Sequence, residues 1–233
     1  MQQYKVIYED ASLIVVEKPA GVATSTKKIG QQDMESLLRN ARIRKKEDPY
    51  IGMVHRLSQP VGCLMVWAKT KKAAAHLSKQ VQQRTIGKSY YALVHKKNAL
   101  PERGTLEHYL TFDAKQNLSF VSDTPTSNSK KAVLDYVICE QNEELALVDI
   151  CLHTGRHHQI RAQFAHIGCP LVGDARYGTK EGNERLGLYS YALTFQHPDT
   201  GKQMEFTNPS PLTIERVYHK MKPSVFTNCL QKE

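Results

Sequence analysis

No stretch of this sequence approaches the roughly 18 consecutive apolar residues of a membrane-spanning helix, so no membrane contact is expected. The opening residues, Met1-Gln-Gln-Tyr-Lys-Val, lack the basic region and apolar stretch of a secretory leader, and none is predicted. Cysteine is sparse. The five residues Cys63, Cys139, Cys151, Cys169 and Cys229 are scattered, odd in number and without a CxxC pair. That argues against a disulfide framework or a cysteine zinc site and predicts reduced thiols in a cytoplasmic protein. Internal repeats, low-complexity linkers and long tails of one charge are also missing.

What is there is a folded, basic chain. Its 233 residues suit one large domain or two small ones, and 40% hydrophobic with 24% charged residues is a globular composition. The net charge of +9 is one-sided. Residues 1–100 hold 18 Lys and Arg against 7 Asp and Glu, a balance of +11; residues 101–233 hold 14 against 16, a balance of −2. A one-sided basic field suits a polyanion, and by itself suits a solvated basic surface equally well.

Periodicity gives a coarse map. Val6-Ile7-Tyr8 and Leu13-Ile14-Val15-Val16 flank the turn Glu9-Asp10-Ala11-Ser12, which predicts a hairpin stopped by Lys18-Pro19-Ala20-Gly21. Residues 31–44 read as a helix ending in Arg39, Arg42, Arg44, Lys45 and Lys46, a cluster that suits either a solvated face or contact with a polyanion. Leu64-Met65-Val66-Trp67 reads as a buried strand. A helix over 71–83 follows, with Ala74, Leu77 and Val81 as its inner stripe, then a strand over 89–94. Further strands are expected at 132–139, 145–152, 188–195 and 203–206, with a polar hairpin or loop over 117–129. An amphipathic helix over 156–168 carries Ile160, Phe164 and Ile167 on one face and ends at Gly168. The mixture lacks regular βαβ alternation, so the fold class is α+β with a mostly antiparallel sheet.

Four segments concentrate chemistry-bearing residues: His55-Arg56-Leu57-Ser58-Gln59-Pro60-Val61-Gly62-Cys63, Lys88-Ser89-Tyr90-Tyr91-Ala92-Leu93-Val94, His153-Thr154-Gly155-Arg156-His157-His158-Gln159-Ile160-Arg161, and His166 through Gly178. In this order they resemble the RluA-type pseudouridine synthase motifs HRLD-x-x-x-G, K-x-Y-x-A-x-V, TGR-x-HQIR and HIG-x-PL-x-GD-x-x-YG. The opening VIYED…LIVVEKPAG fits the family's first motif, so the likeness spans roughly residues 4 to 210. It implies a single catalytic domain over 1–233 without the N-terminal S4 module of some relatives. It further implies a central, mostly antiparallel sheet with flanking helices and an RNA cleft, a monomer, and ribosomal or transfer RNA as partner. No metal or organic cofactor takes part in the family reaction.

That reaction isomerises uridine in RNA to pseudouridine: the glycosidic bond breaks, the base turns, and it rejoins through carbon 5. The base must leave its stack and be held. The resemblance assigns Arg56 to flipping the base and Tyr90 to stacking on it, Arg161 to pairing with the catalytic aspartate, and His55 and Arg156 to RNA contact. Ser58 falls on the aspartate itself. A serine hydroxyl is neutral at pH 7 and a poor nucleophile without a base beside it, so an inactive or severely impaired enzyme is expected. Arg161 would then keep an unpaired charge, unless it is simply a surface arginine. Asp174 is the one nearby acid that could substitute, although the family already has a structural Asp there.

Other readings of the same residues are weaker. No GxSxG elbow surrounds Ser58, which argues against serine hydrolase chemistry despite His55 three residues away. His153 and His157 stand four apart but lack a third ligand and an HExxH pattern. Cys63 stands where the family has glycine, a change that packing alone can absorb. Two functions remain: an RNA-modifying enzyme carrying a variant residue, and a catalytically silent paralogue serving as an RNA chaperone or assembly factor.

Overall fold

A computed structural model describes residues 4–26, 28, 30–178 and 185–208. In chain order its elements are β1 (Lys5–Glu9), β2 (Leu13–Lys18), α1 (Met34–Arg44), β3 (Gly52–Met53), β4 (Gly62–Ala68), α2 (Lys71–Gln83) and β5 (Gly87–His95). There follow β6 (Arg103–Asp113), β7 (Leu118–Ser122), β8 (Lys130–Gln141), β9 (Leu145–Leu152), α3 (Gln159–His166), β10 (Leu188–Gln196) and β11 (Gln203–Thr207). The described chain divides into two compact units, one built from residues up to Lys88 plus Ser190–Asn208, the other from Ser89–Tyr189. Cys229 lies outside the described residues.

In the first unit the strand order is β1-β2-β4-β10, with β11 on β10 and β3 on β4. β2 and β4 are apolar at nearly every position because both of their faces are covered. Ile14, Val16, Cys63, Met65 and Trp67 pack with Met34 and Leu38 of α1. Leu13, Val15, Leu64, Val66 and Ala68 pack with Ala73 and Leu77 of α2. Trp67 is fully buried with its indole Nε1 unpartnered. An orphaned donor costs about 1–3 kcal/mol. Burying some 150–250 Å² of ring returns roughly 4–6 kcal/mol, so the ring's packing wins.

Both helices of this unit are capped as their sequences suggest. Asp33 accepts from Ser36 N at α1, and Thr70 accepts from Ala73 N at α2. The inner stripe of α2 differs from the expected one. Ala73, Leu77 and Gln80 face inward, while Val81 is 37% exposed. Gln80 is drawn in because its amide bonds both backbone groups of Gln196, at 2.7 and 2.8 Å.

The second unit orders its strands β5-β9-β8-β6-β7, each neighbouring pair antiparallel. The α+β, mostly antiparallel expectation holds. β6 was not expected at all, and the polar 117–129 stretch contains β7, its hairpin partner. The inward face of β6 reads Leu106, His108, Leu110. The buried histidine hides the period of two that would have marked the strand.

The helix predicted over 156–168 is shorter, and it is not amphipathic in the usual sense. Six successive residues of α3, Gln159 to Phe164, are buried. The buried polar side chains are bonded, apart from Gln163 Oε1, which has no hydrogen-bond partner among the described residues. Gln159 joins Thr154 Oγ1 at 2.8 Å and Val133 O at 3.1 Å, and Gln163 donates to Leu106 O at 3.1 Å. Arg156 precedes the helix rather than lying on it. Gly168 follows the helix end with φ +78°, as its place in the sequence suggests. Among the described residues no helix is long and apolar enough to cross a membrane.

Candidate active-site residues and family

His55, Arg56 and Ser58 belong to the first unit, on the loop between β3 and β4; Tyr90, Arg156 and Arg161 belong to the second. The loop around Ser58 is fastened by backbone bonds. Ser58 O accepts from Val61 N at 3.1 Å, closing a turn. Thr24 Oγ1 donates to Leu57 O and accepts from Leu57 N. Gln59 and Gly21 bond each other through Gly21 N→Gln59 O and Gln59 Nε2→Gly21 O, both 2.9 Å.

Behind these bonds sits Lys18, fully buried, whose ammonium donates to Pro19 O, Val22 O and Gln59 O at 3.0, 2.8 and 3.2 Å. Its pKa is lowered by burial. In the sequence Lys18 reads only as the end of a strand. It is in fact the pin that joins the β2 exit to the Ser58 loop, and only its place in the first motif could have signalled that.

Ser58 itself is half-buried, and among the described residues nothing hydrogen-bonds its hydroxyl. His55 is buried with both ring nitrogens unpartnered, so no Ser58–His55 bond exists. Burial, then the charge of Lys88, drives the His55 pKa well below its usual value and keeps the ring neutral. The Lys88 ammonium is packed round by protein atoms although part of its side chain reaches solvent. Burial pulls its pKa down to about 8. Cys63 is fully buried, and burial pushes its thiol up to about 12, so it acts as a packing residue and not as a nucleophile. Arg56 is exposed.

Arg161 is neither a surface residue nor unpaired, which corrects both expectations for it. It is 5% exposed and grips Asp174, itself 1% exposed, through Nε–Oδ2 at 2.7 Å and NH2–Oδ1 at 2.6 Å. Its NH1 donates to His158 Nε2 at 3.1 Å, and its guanidinium lies 5.2 Å from the Tyr177 ring centre. Burial pushes the Asp174 carboxyl up, but Arg161 and the N–H groups of Arg176 and Tyr177 hold it below its usual value. Asp174 is thereby committed within its own unit. Burial and then Arg161 depress His158 to about 3, so it stays neutral. Tyr90 is 4% exposed on β5 opposite Ile150. Arg156 donates from Nε to Lys131 O at 3.0 Å.

The basic cluster at the end of α1 is largely engaged within the fold. Arg42 is buried and meets Glu47 and Asp48 O, Lys45 meets Glu9, and Arg39 meets Glu35. Arg44 and Lys46 are exposed. The two histidines weighed as metal ligands have other partners: His153 meets Asp135, and His157 meets Ser119. A different trio, His108, Asp123 and His166, brings three ligand atoms within 4.8 Å of one another. Gln163 Nε2 can only donate, and its two hydrogens are shared among Leu106 O, Ala132 O and His108 Nδ1, the last at 2.9 Å. Nδ1 is therefore the acceptor, and the proton sits on Nε2 toward Asp123. The trio pins α3 to the β7 exit.

Comparison with known proteins agrees with these motifs. The family model described as RNA pseudouridylate synthase matches residues 12–166. An uncharacterized RNA pseudouridine synthase, the MG209 homolog of Mycoplasma pneumoniae, is 33% identical over 205 residues, covering 86% of this chain and 65% of the relative. Ribosomal large subunit pseudouridine synthase D of Pseudomonas aeruginosa is 32% identical over 228 residues, covering 90% and 69%. The chain thus spans about two thirds of the length of such curated relatives. The solved structure of human RNA pseudouridylate synthase domain containing 4 superposes with a TM-score of 0.75 at 19% identity, covering 94% of this chain and 95% of that one, which speaks for the fold. On the matched family model and these relatives, the chain belongs to the RNA pseudouridylate synthase family, in its RluA-type branch.

Proposed function

We propose that this chain binds cellular RNA, ribosomal or transfer, through a pseudouridine-synthase frame, and that in its present form it does not isomerise uridine. The observation that carries this reading is the Ser58 loop. Its backbone is clamped by Lys18, Gly21 and Thr24, while the side chain it presents is a hydroxyl with no bonded base among the described residues. The frame is kept and the reacting carboxylate is gone. Arg56 is the residue for flipping, Tyr90 the one for stacking, and His55 and Arg156 contact the RNA. The matched family model runs through both compact units, which supports reading them as halves of one catalytic domain; the scattered, unpaired cysteines favour a cytoplasmic setting for it. Such a protein serves as an RNA chaperone or assembly factor rather than a modifying enzyme.

The test of RNA binding is its salt dependence. Affinity for a uridine-bearing single strand, followed by fluorescence anisotropy, should fall with a log–log slope of about −0.7 per neutralised phosphate. A flat affinity from low to high salt would refute the phosphate-tracking surface.

A further inference from the structure

In the motif TGR-x-HQIR, the free position is filled here by His157, and its ring is not isolated. On the β6–β7 hairpin Phe112 stands opposite Ser119, and Thr111 opposite Phe120. Alternation along a strand therefore sends Phe112 and Phe120 to opposite faces. Both are about half exposed, 50% and 51%. Only Phe112 has rings behind it among the described residues. Its centroid is 4.3 Å from His157, His157 is 3.8 Å from His158, and His158 meets the Tyr177 ring edge-on at 5.6 Å. Arg161 closes the series over Tyr177. Four rings thus run without a break from a buried arginine to solvent.

Hydrogen bonds fix each ring in place. Ser119 Oγ donates to His157 O at 2.6 Å, so at 3.2 Å it can only accept from His157 Nδ1, which leaves Nε2 as an acceptor. Tyr177 Oη accepts from Ser119 N at 2.7 Å and from His158 Nδ1 at 3.1 Å. Burial, then the charges of Arg161 and Arg176, depresses the His157 pKa and favours the neutral ring. Cations flank the same hairpin. Lys115 is exposed at its turn, and Arg176 reaches Gln116 O and Asn117 O. A single exposed phenylalanine needs no explanation. A pre-ordered run of rings with an open end, an acceptor and adjacent cations matches what an unpaired nucleotide requires: a face for the base and charge for the phosphates.

We infer that Phe112 and His157 form a second stacking platform, separate from Tyr90, for an unpaired base of the bound RNA, with Lys115 and Arg176 against its phosphates. This rests on the RNA-binding reading above. The test measures anisotropy with a labelled single-stranded uridine-bearing RNA and with its duplex. Phe112→Ala should weaken single-strand binding by about five-fold or more and leave duplex binding unchanged. Phe112→Trp should bind as the unaltered chain does. Phe120→Ala, equally exposed on the other face, should change nothing. Phe112→Leu keeps an apolar side chain without a π face and should lose as much as Phe112→Ala, which separates stacking from damage to the hairpin. Undiminished binding by Phe112→Ala, or equal losses for Phe112→Ala and Phe120→Ala, overturns the platform while the RNA reading stands. No RNA binding by the unaltered chain overturns both.

Discussion

Removing either partner of the Arg161–Asp174 pair should unfold much of the second unit's margin of stability. Both groups are buried and meet through two bonds of 2.7 and 2.6 Å, and Asp174 Oδ1 also accepts from Arg176 N and Tyr177 N at 3.0 and 3.1 Å. Asp174→Ala leaves a buried guanidinium with His158 as its one remaining hydrogen-bond partner among the described residues and orphans two N–H groups. Single removals from such pairs cost about 3–5 kcal/mol, against a total of roughly 5–15 kcal/mol for a typical domain. Arg161→Met should cost a similar amount at pH 7 and less in acid, because Asp174 without its cation can take up a proton. In the intact pair the Asp174 pKa is held low. Its stabilisation is therefore present above the ordinary aspartate pKa and lost as pH falls through the lowered native value. The double variant should cost little more than either single one, since no charge is left stranded. The assay is urea unfolding followed by circular dichroism, because the one tryptophan, Trp67, reports on the other unit. Additive losses below about 1 kcal/mol each would refute the account of the pair as a tightly coupled buried unit.

Two further outcomes follow from the first unit. Asp10 accepts from Ser12 N, Leu13 N, Tyr8 Oη and His197 Nε2, and although burial raises its carboxyl, His197 and the two N–H groups bring it to about 2. The stability it contributes should be full above pH about 4 and fade toward pH 2; Asp10→Asn should abolish that part of the acid unfolding profile, and an unchanged profile would refute the assignment. Lys18→Met should destabilise the unit by about 1–3 kcal/mol through its stranded carbonyls and speed hydrogen exchange at Gly21 N–H; unchanged exchange there would show that Lys18 does not pin the Ser58 loop.

The parts of the fold that were legible were those where one period dominates. α2 was bounded correctly from sequence, and β9 at Leu145–Leu152 matches the expected range. Reading failed where polar side chains go inward with partners supplied by distant chain. Gln80 turned the α2 stripe, His108 concealed β6, and Gln159, Arg161 and Gln163 made α3 buried rather than amphipathic. No local pattern announces a bond to Gln196 or Asp174. The site residues were found by motif order alone. The role of Lys18 emerged only from burial, since a lysine in a sequence carries no mark of having left water. Arg161 shows the same limit: its partner is thirteen residues away, across a helix end and a turn.

The most direct measurement is the pseudouridine content of unmodified RNA after incubation with the unaltered chain and with Ser58→Asp, read by mass spectrometry of nucleosides after derivatisation. Glycosidic cleavage needs a carboxylate's charge or nucleophile beside the sugar, and a hydroxyl without a base supplies neither. The unaltered chain should therefore make no pseudouridine above background, and Ser58→Asp should make a measurable amount. Robust product from the serine form would contradict the account, as would a folded, RNA-binding Ser58→Asp chain that stays inactive on every RNA pool.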